Sequence, residues 1–250
     1  MTQFSWIPMY EELATALLGY EHRQAELIDL LRELKDAGLK VVKLDDQAAT
    51  GEEPLGVMDP FTFFASFNRN TTDANRTGIL TGLKRWFNLT SEVPTDFTGI
   101  PLADNMQSWF FPYARERKPD DISALWSLAR QAVTGARTDI QAVTFERCMA
   151  IRSVKLAKLT IGLYWLQPKK FMPLDGNSRA YLLRRGVAVP GAVASWTQYQ
   201  TILGETAKVA GEDYPTSLRP TSAPWSGSRS WHWRSRSWAR RTYPGSSSTR

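Results

Sequence analysis

The 250-residue chain contains one cysteine and two histidines. The single Cys148 excludes an internal disulfide, and with only His22 and His232 there is no Cys/His set for a structural zinc ion. Cys148 falls in a predicted helix with nothing near it in sequence to lower its pKa, so it reads as packing rather than as a reactive thiol. No run of about eighteen apolar residues occurs, and Met1-Thr-Gln-Phe-Ser lacks the basic and apolar stretches of a secretion signal. A cytoplasmic protein with no membrane partner is expected. A phosphate loop is also missing: Gly78-Ile-Leu-Thr-Gly-Leu-Lys84 is too short and lies inside a helical stripe. There is no Gly-x-Ser-x-Gly elbow, no His-Glu-x-x-His helix and no clustered triad. His22, embedded in a charged helix, reads as a surface residue. The expectation is therefore a chain with no catalytic residue, no metal site and no cofactor.

Acidic residues are absent from residues 214–250, which hold seven of the 31 Lys and Arg, leaving 24 basic against 25 acidic residues in the remainder. The formal net charge of +6 thus belongs to the tail. That tail has ten Ser and four Trp, and Leu218 is its one residue among Leu, Ile, Val, Met and Phe, so no amphipathic period can form and disorder is expected. It reads either as a basic-aromatic arm for single-stranded nucleic acid or as out-of-frame translation of GC-rich coding DNA. The abrupt loss of period favours the latter.

What is present before the tail is helical periodicity. Leu13, Leu17, Tyr20, Leu27, Leu31 and Leu34 recur every three to four residues over about 8–35, with Gly19 a break point and Gly38 a stop. Residues 41–57 read as a loop with Val41-Val42 a possible short strand. Asp59 caps a helix over about 60–68 with Pro60 at its first position, and Thr72 or Thr71 caps a second, with Ile79, Leu80, Leu83, Trp86 and Phe87 as its apolar stripe. Residues 88–118, rich in Pro and scattered aromatics, read as an ordered connection and a possible sub-boundary. Asp120-Asp121 opens another helix, and more are expected at about 139–151, 154–166, 177–185 and 195–210. The predicted class is mainly α: a compact multi-helix domain over 1–213 with irregular connections, at most a few short strands and a disordered tail.

Two segments carry candidate chemistry. In Asp59-Pro-Phe-Thr-Phe-Phe-Ala-Ser-Phe-Asn-Arg69, followed by Asn75-Arg76, aromatic rings stand beside planar hydrogen-bonding groups. Phe63 and Phe64, with Trp109, could stack an extruded base, and Arg69, Asn75 and Arg76 could read or hold the strand. The same four Phe residues could equally be core, and Arg76 could pair with Asp73 or Glu92. In Leu159-Thr-Ile-Gly-Leu-Tyr-Trp-Leu-Gln-Pro-Lys-Lys-Phe-Met-Pro-Leu-Asp-Gly-Asn-Ser-Arg179, Lys169, Lys170 and Arg179 could contact phosphates. Alternatively, Asp175 caps a helix with Arg179 as its partner.

These motifs occur in order with Trp6-Ile-Pro-Met-Tyr-Glu-Glu-Leu-Ala, Val93-Pro-x-Asp-Phe-x-Gly-Ile-Pro101, Asp121-Ile-x-x-Leu-Trp126, Gly162-Leu-Tyr-Trp165 and Leu174-Asp175. Together, over about residues 4–185, they resemble the N-terminal region of McrB-type AAA+ restriction proteins, the GTP-using motors of modification-dependent phage defence. The resemblance implies a module that recognises DNA, base-modified or unmodified, with AAA+ subunits and a separate nuclease as its partners. It stops before any AAA+ module, so a truncated or frameshifted gene is expected. It transfers no base-contacting residues, and an assembly domain of the restriction motor fits it as well. A rival from residue chemistry is a glycosylase-like helical enzyme using Lys155 or Lys158 with Asp175; the Gly-rich hairpin that would precede the Lys is absent.

Overall fold

The computed structural model describes residues 4–69, 71–191, 193, 195–211 and 214. The long N-terminal periodic stretch divides at Gly19, as expected: helix α1 (Trp6–Leu17) passes through a 3-10 turn (Leu18–Tyr20) into α2 (Gln24–Asp36). The face of α1 formed by Trp6, Met9, Tyr10, Leu13 and Leu17 is fully buried, as positions spaced three and four apart must be when one side of a helix meets a core. After α2, Gly38 takes φ +90° and the Leu39 amide bonds back to the Leu34 carbonyl, a left-handed helix stop.

The region read as a loop contains a hairpin. Strands β1 (Asp45–Ala48) and β2 (Gly51–Pro54) are antiparallel, with Asp45 opposite Pro54 and Ala48 opposite Gly51. Val41 and Val42 are buried irregular backbone, not strand. Strand propensity does not build this hairpin, since its residues are Asp, Gln, Ala, Gly, Glu and Pro. It is fixed by Asp46, 2% exposed, which pairs with Arg117 and accepts the Ala114 amide at 2.9 Å.

Helix α3 (Pro60–Asn68) starts where Asp59 Oδ1 accepts the Phe61 and Thr62 amides at 2.8 and 3.2 Å, and every one of its residues is buried. Thr72 caps α4 (Asp73–Phe87) through the Asn75 amide. Ile79, Leu80 and Leu83 of its stripe are buried, but Trp86 stands 38% exposed at the helix end. Residues 88–118 are irregular as read, with a 3-10 turn at Ala114–Glu116 and a β-bridge from Ala103 to Arg69. Helices α5 (Asp121–Thr134), α6 (Ala142–Met149), α7 (Leu156–Leu166), α8 (Gly176–Arg184) and α9 (Trp196–Ala210) complete a mainly α architecture. One hydrophobic cluster runs from Phe4 to Tyr214 and crosses residues 88–118 without a break. Apart from Tyr214, the segment 214–250 expected to be disordered lies outside the described residues.

At the centre, α3 lies against α1 and α7. Tyr10 meets Phe64 and Phe67 edge-on at 5.6 and 5.5 Å, and Phe61 stacks on Phe110 at 5.3 Å. Gly162 lets α7 approach: a Cβ there would lie 2.6 Å from a Phe61 ring carbon and 3.0 Å from one of Phe110.

Candidate functional site

The aromatic residues proposed to stack on a base are core. Phe63 and Phe64 have no exposed surface, and Trp109 is 8% exposed with its indole N–H donated to the Lys43 carbonyl at 3.0 Å. Because α3 is enclosed on every side, no ring face is open to a ligand. Of the polar groups beside them, Asn75 and Arg76 are also committed. Asn75 clasps Lys40, accepting its amide at 2.7 Å and donating to its carbonyl at 3.1 Å, and so ties α4 to the segment after α2. Arg76 is 4% exposed; its Nε donates to the Phe67 carbonyl at 2.7 Å and its guanidinium lies 4.8 Å from the Phe97 ring centre. It faces Asp73 at 3.5 Å, while Glu92 pairs with Lys84. Arg69 is half-buried, and its enclosed Nε has no acceptor among the described residues.

In the second segment, Asp175 caps α8 through the Ser178 amide at 2.8 Å. Arg179 does not pair with it; its Nε donates to the Leu174 carbonyl and its Nη1 to that of Pro190. Lys158 is enclosed beside the Phe110 ring and donates to the carbonyls of Trp109 and Ser153. Burial pushes its ammonium down to about 8, against the attraction of Asp59. Burial likewise raises Asp59 to about 6 and Cys148 to about 12, which keeps that thiol protonated. Among the described residues, no three His, Cys, Asp or Glu side chains converge to hold a metal ion.

Lys169, Lys170 and Arg137 converge on open space, around a recess of about 270 Å³ completed by Ala136 and Thr138. Pro168 stops α7, and the next turn places the two lysines under the C-terminal end of α5. There the Lys170 ammonium donates to the carbonyls of Ala132, Val133 and Gly135 at 3.1, 3.2 and 2.9 Å. These are carbonyls that a helix end leaves without amide partners. Its three protons are used, so Lys170 lends the recess charge rather than a free donor, and burial lowers its pKa. Lys169 is 62% exposed and meets Glu11 at 3.1 Å. Arg137, on the 3-10 turn Arg137–Asp139, gives one Nη1 proton to Tyr214 Oη at 2.8 Å. Asp139 spends an oxygen on the Ala136 amide. Lys169 and Arg137 therefore retain donors for an anion. The lysine pair was legible in the sequence; Arg137 was not, being thirty-odd residues upstream with no local signal.

No curated protein and no solved structure matches the chain. A family model does, over residues 6–219, which takes in every helix from α1 to α9. The chain belongs to that family, described as a domain of unknown function (DUF8425).

Proposed function

We propose that this chain is a DNA-recognition module, the N-terminal type of region found in McrB-type restriction proteins, acting by binding rather than by catalysis. The observation that carries the reading is the recess of Arg137, Lys169 and Lys170, a local positive surface on a body whose summed charge is close to zero. A phosphate seated there would accept from Lys169 and Arg137 while Lys170 adds unspent charge. In order-preserving company with the Asp59–Arg76 and Leu159–Arg179 motifs, this supports DNA over an acidic protein as partner. Restriction-motor and nuclease activities would reside in the AAA+ module and in a separate subunit. With α3 closed, base identity or modification would be read elsewhere than at Phe63, Phe64 and Trp109.

Fluorescence anisotropy of the full chain with base-modified and unmodified duplexes tests this. Tighter binding to the modified duplex, weakened about tenfold by Lys169→Glu, is expected, since a lost phosphate contact lowers affinity across all sequences. Equal affinity for both duplexes, or indifference to Lys169→Glu, would sink it.

A further inference from the structure

A larger cleft, about 440 Å³, shares no lining residue with the basic recess. It lies between the turn joining α1 to α2, the link from β2 to α3, and the start of α5. Half-buried Val57 and Ile122 and the buried Trp126 give it an apolar floor, while His22, Arg117 and Lys118 stand around it. The Arg117 guanidinium is held in place by its pairing with Asp46 and by the Phe111 ring 5.0 Å away, yet its buried Nη1 has no acceptor. A buried guanidinium nitrogen without an acceptor carries a desolvation cost that an incoming oxygen would relieve, and Arg117 is one of the residues lining the cleft. The exposed His22 side chain makes no hydrogen bond or ion pair among the described residues, and Lys118 makes no side-chain hydrogen bond there, being drawn only through space toward Asp120.

Of the neighbouring carboxylates, Asp46 balances the charge of Arg117 itself and leaves that guanidinium a donor through Nη1 rather than a net cation, while the others are held by cations outside the donor set. Glu21 is engaged by Arg130, Asp46 by Arg117, and Asp120 and Asp121 by Arg147. Gln24 is also spent, accepting from the Met58 amide and donating to the Glu21 carbonyl.

We propose that this cleft binds a small organic phosphate, a nucleoside monophosphate in size and charge. Donors on three separate residues match the several oxygens of a phosphate better than the two of a carboxylate. The volume falls within the range of roughly 300–1,000 Å³ typical of small-ligand sites. The apolar floor suits a flat ring, and the committed Gln24 leaves little to hold a bare sugar phosphate.

Isothermal titration of the full chain with adenosine 5′-monophosphate provides the test, with inorganic phosphate and adenosine as separate probes. Expected is saturable, single-site binding of the nucleotide, weakened at least about tenfold by Lys118→Ala or His22→Ala and unchanged by Lys169→Ala in the recess. Both cleft variants replace exposed side chains and should fold. Absence of saturable heat up to millimolar nucleotide, indifference to both cleft variants, or inorganic phosphate binding as tightly as the nucleotide would each overturn the assignment. Because the Arg-rich tail is the same in every variant, its attraction for anions cannot imitate the expected pattern. DNA binding through the recess can fail without affecting this outcome, and the converse holds.

Discussion

At the residue scale, space and charge at single positions decide what the fold tolerates. Gly162→Ala should destabilise the protein by about 1–3 kcal/mol in urea unfolding, because the added methyl meets two fixed rings. Gly204→Ala in α9 should instead stabilise by about 0.4–1 kcal/mol, since nothing lies within 4 Å of the new Cβ and alanine is the better helix former. Two equal stabilities would show that the α3–α7 approach is not tight. Lys158 makes a prediction of a different kind. Its folded pKa, about 8, lies below its usual 10.5, so between those values the unfolded chain holds more protons and stability rises with pH. Denaturant titrations should show this rise in the natural chain and lose it in Lys158→Met. These positions also mark where reading a sequence stops. Phe63, Phe64 and Trp109 have the same chemistry whether they pack a core or stack on a base, and only the enclosure of α3 separates the two. Arg76 and Arg179 likewise offer the same guanidinium to a backbone carbonyl as to a phosphate.

At the element scale, helices announce themselves and the hairpin does not. Asp59, Thr72, Asp175 and Ser195 each cap the helix that follows, through amides within three residues, so the information is local and the boundaries come out within a few positions. The hairpin of β1 and β2 depends on Arg117, 71 positions beyond Asp46, and no window of sequence around it could have shown that contact. Asp46→Ala should therefore cost about 3 kcal/mol, by leaving a largely buried guanidinium without its carboxylate. Hydrogen exchange should quicken first in residues 45–54 and at Ala114. Unchanged protection there would mean that the strands hold themselves. The recess is a similar case: Lys169 and Lys170 come from one turn, but Arg137 reaches them only because α5 ends where α7 does.

At the scale of the whole molecule, α1 is the piece that most distant parts share. Trp6 donates to the Thr98 carbonyl at 3.0 Å and its ring lies 5.7 Å from that of Tyr164; Glu12 holds the amides of Thr90 and Ser91 at 2.7 and 2.8 Å. Desolvation acts to raise Glu12, but the bonds from Ser91 and Thr90 prevail and hold it down to about 2. Its contribution is thus complete above its usual 4.5 and disappears as pH falls toward 2. Acid titration of Glu12→Gln should show a flatter loss of stability across that window than the natural chain; matching curves would remove Glu12 from the account. The position of α1 also has a consequence in time. A ribosome makes this helix first and its α7 neighbour some 150 residues later, a delay on the order of ten seconds at about 5–20 residues per second. Phe64 and Phe67 reach Tyr10 early in that interval, but the Trp6 ring lacks Tyr164 until its end, so the nascent chain carries a partly covered apolar helix that chaperones can hold until α7 emerges.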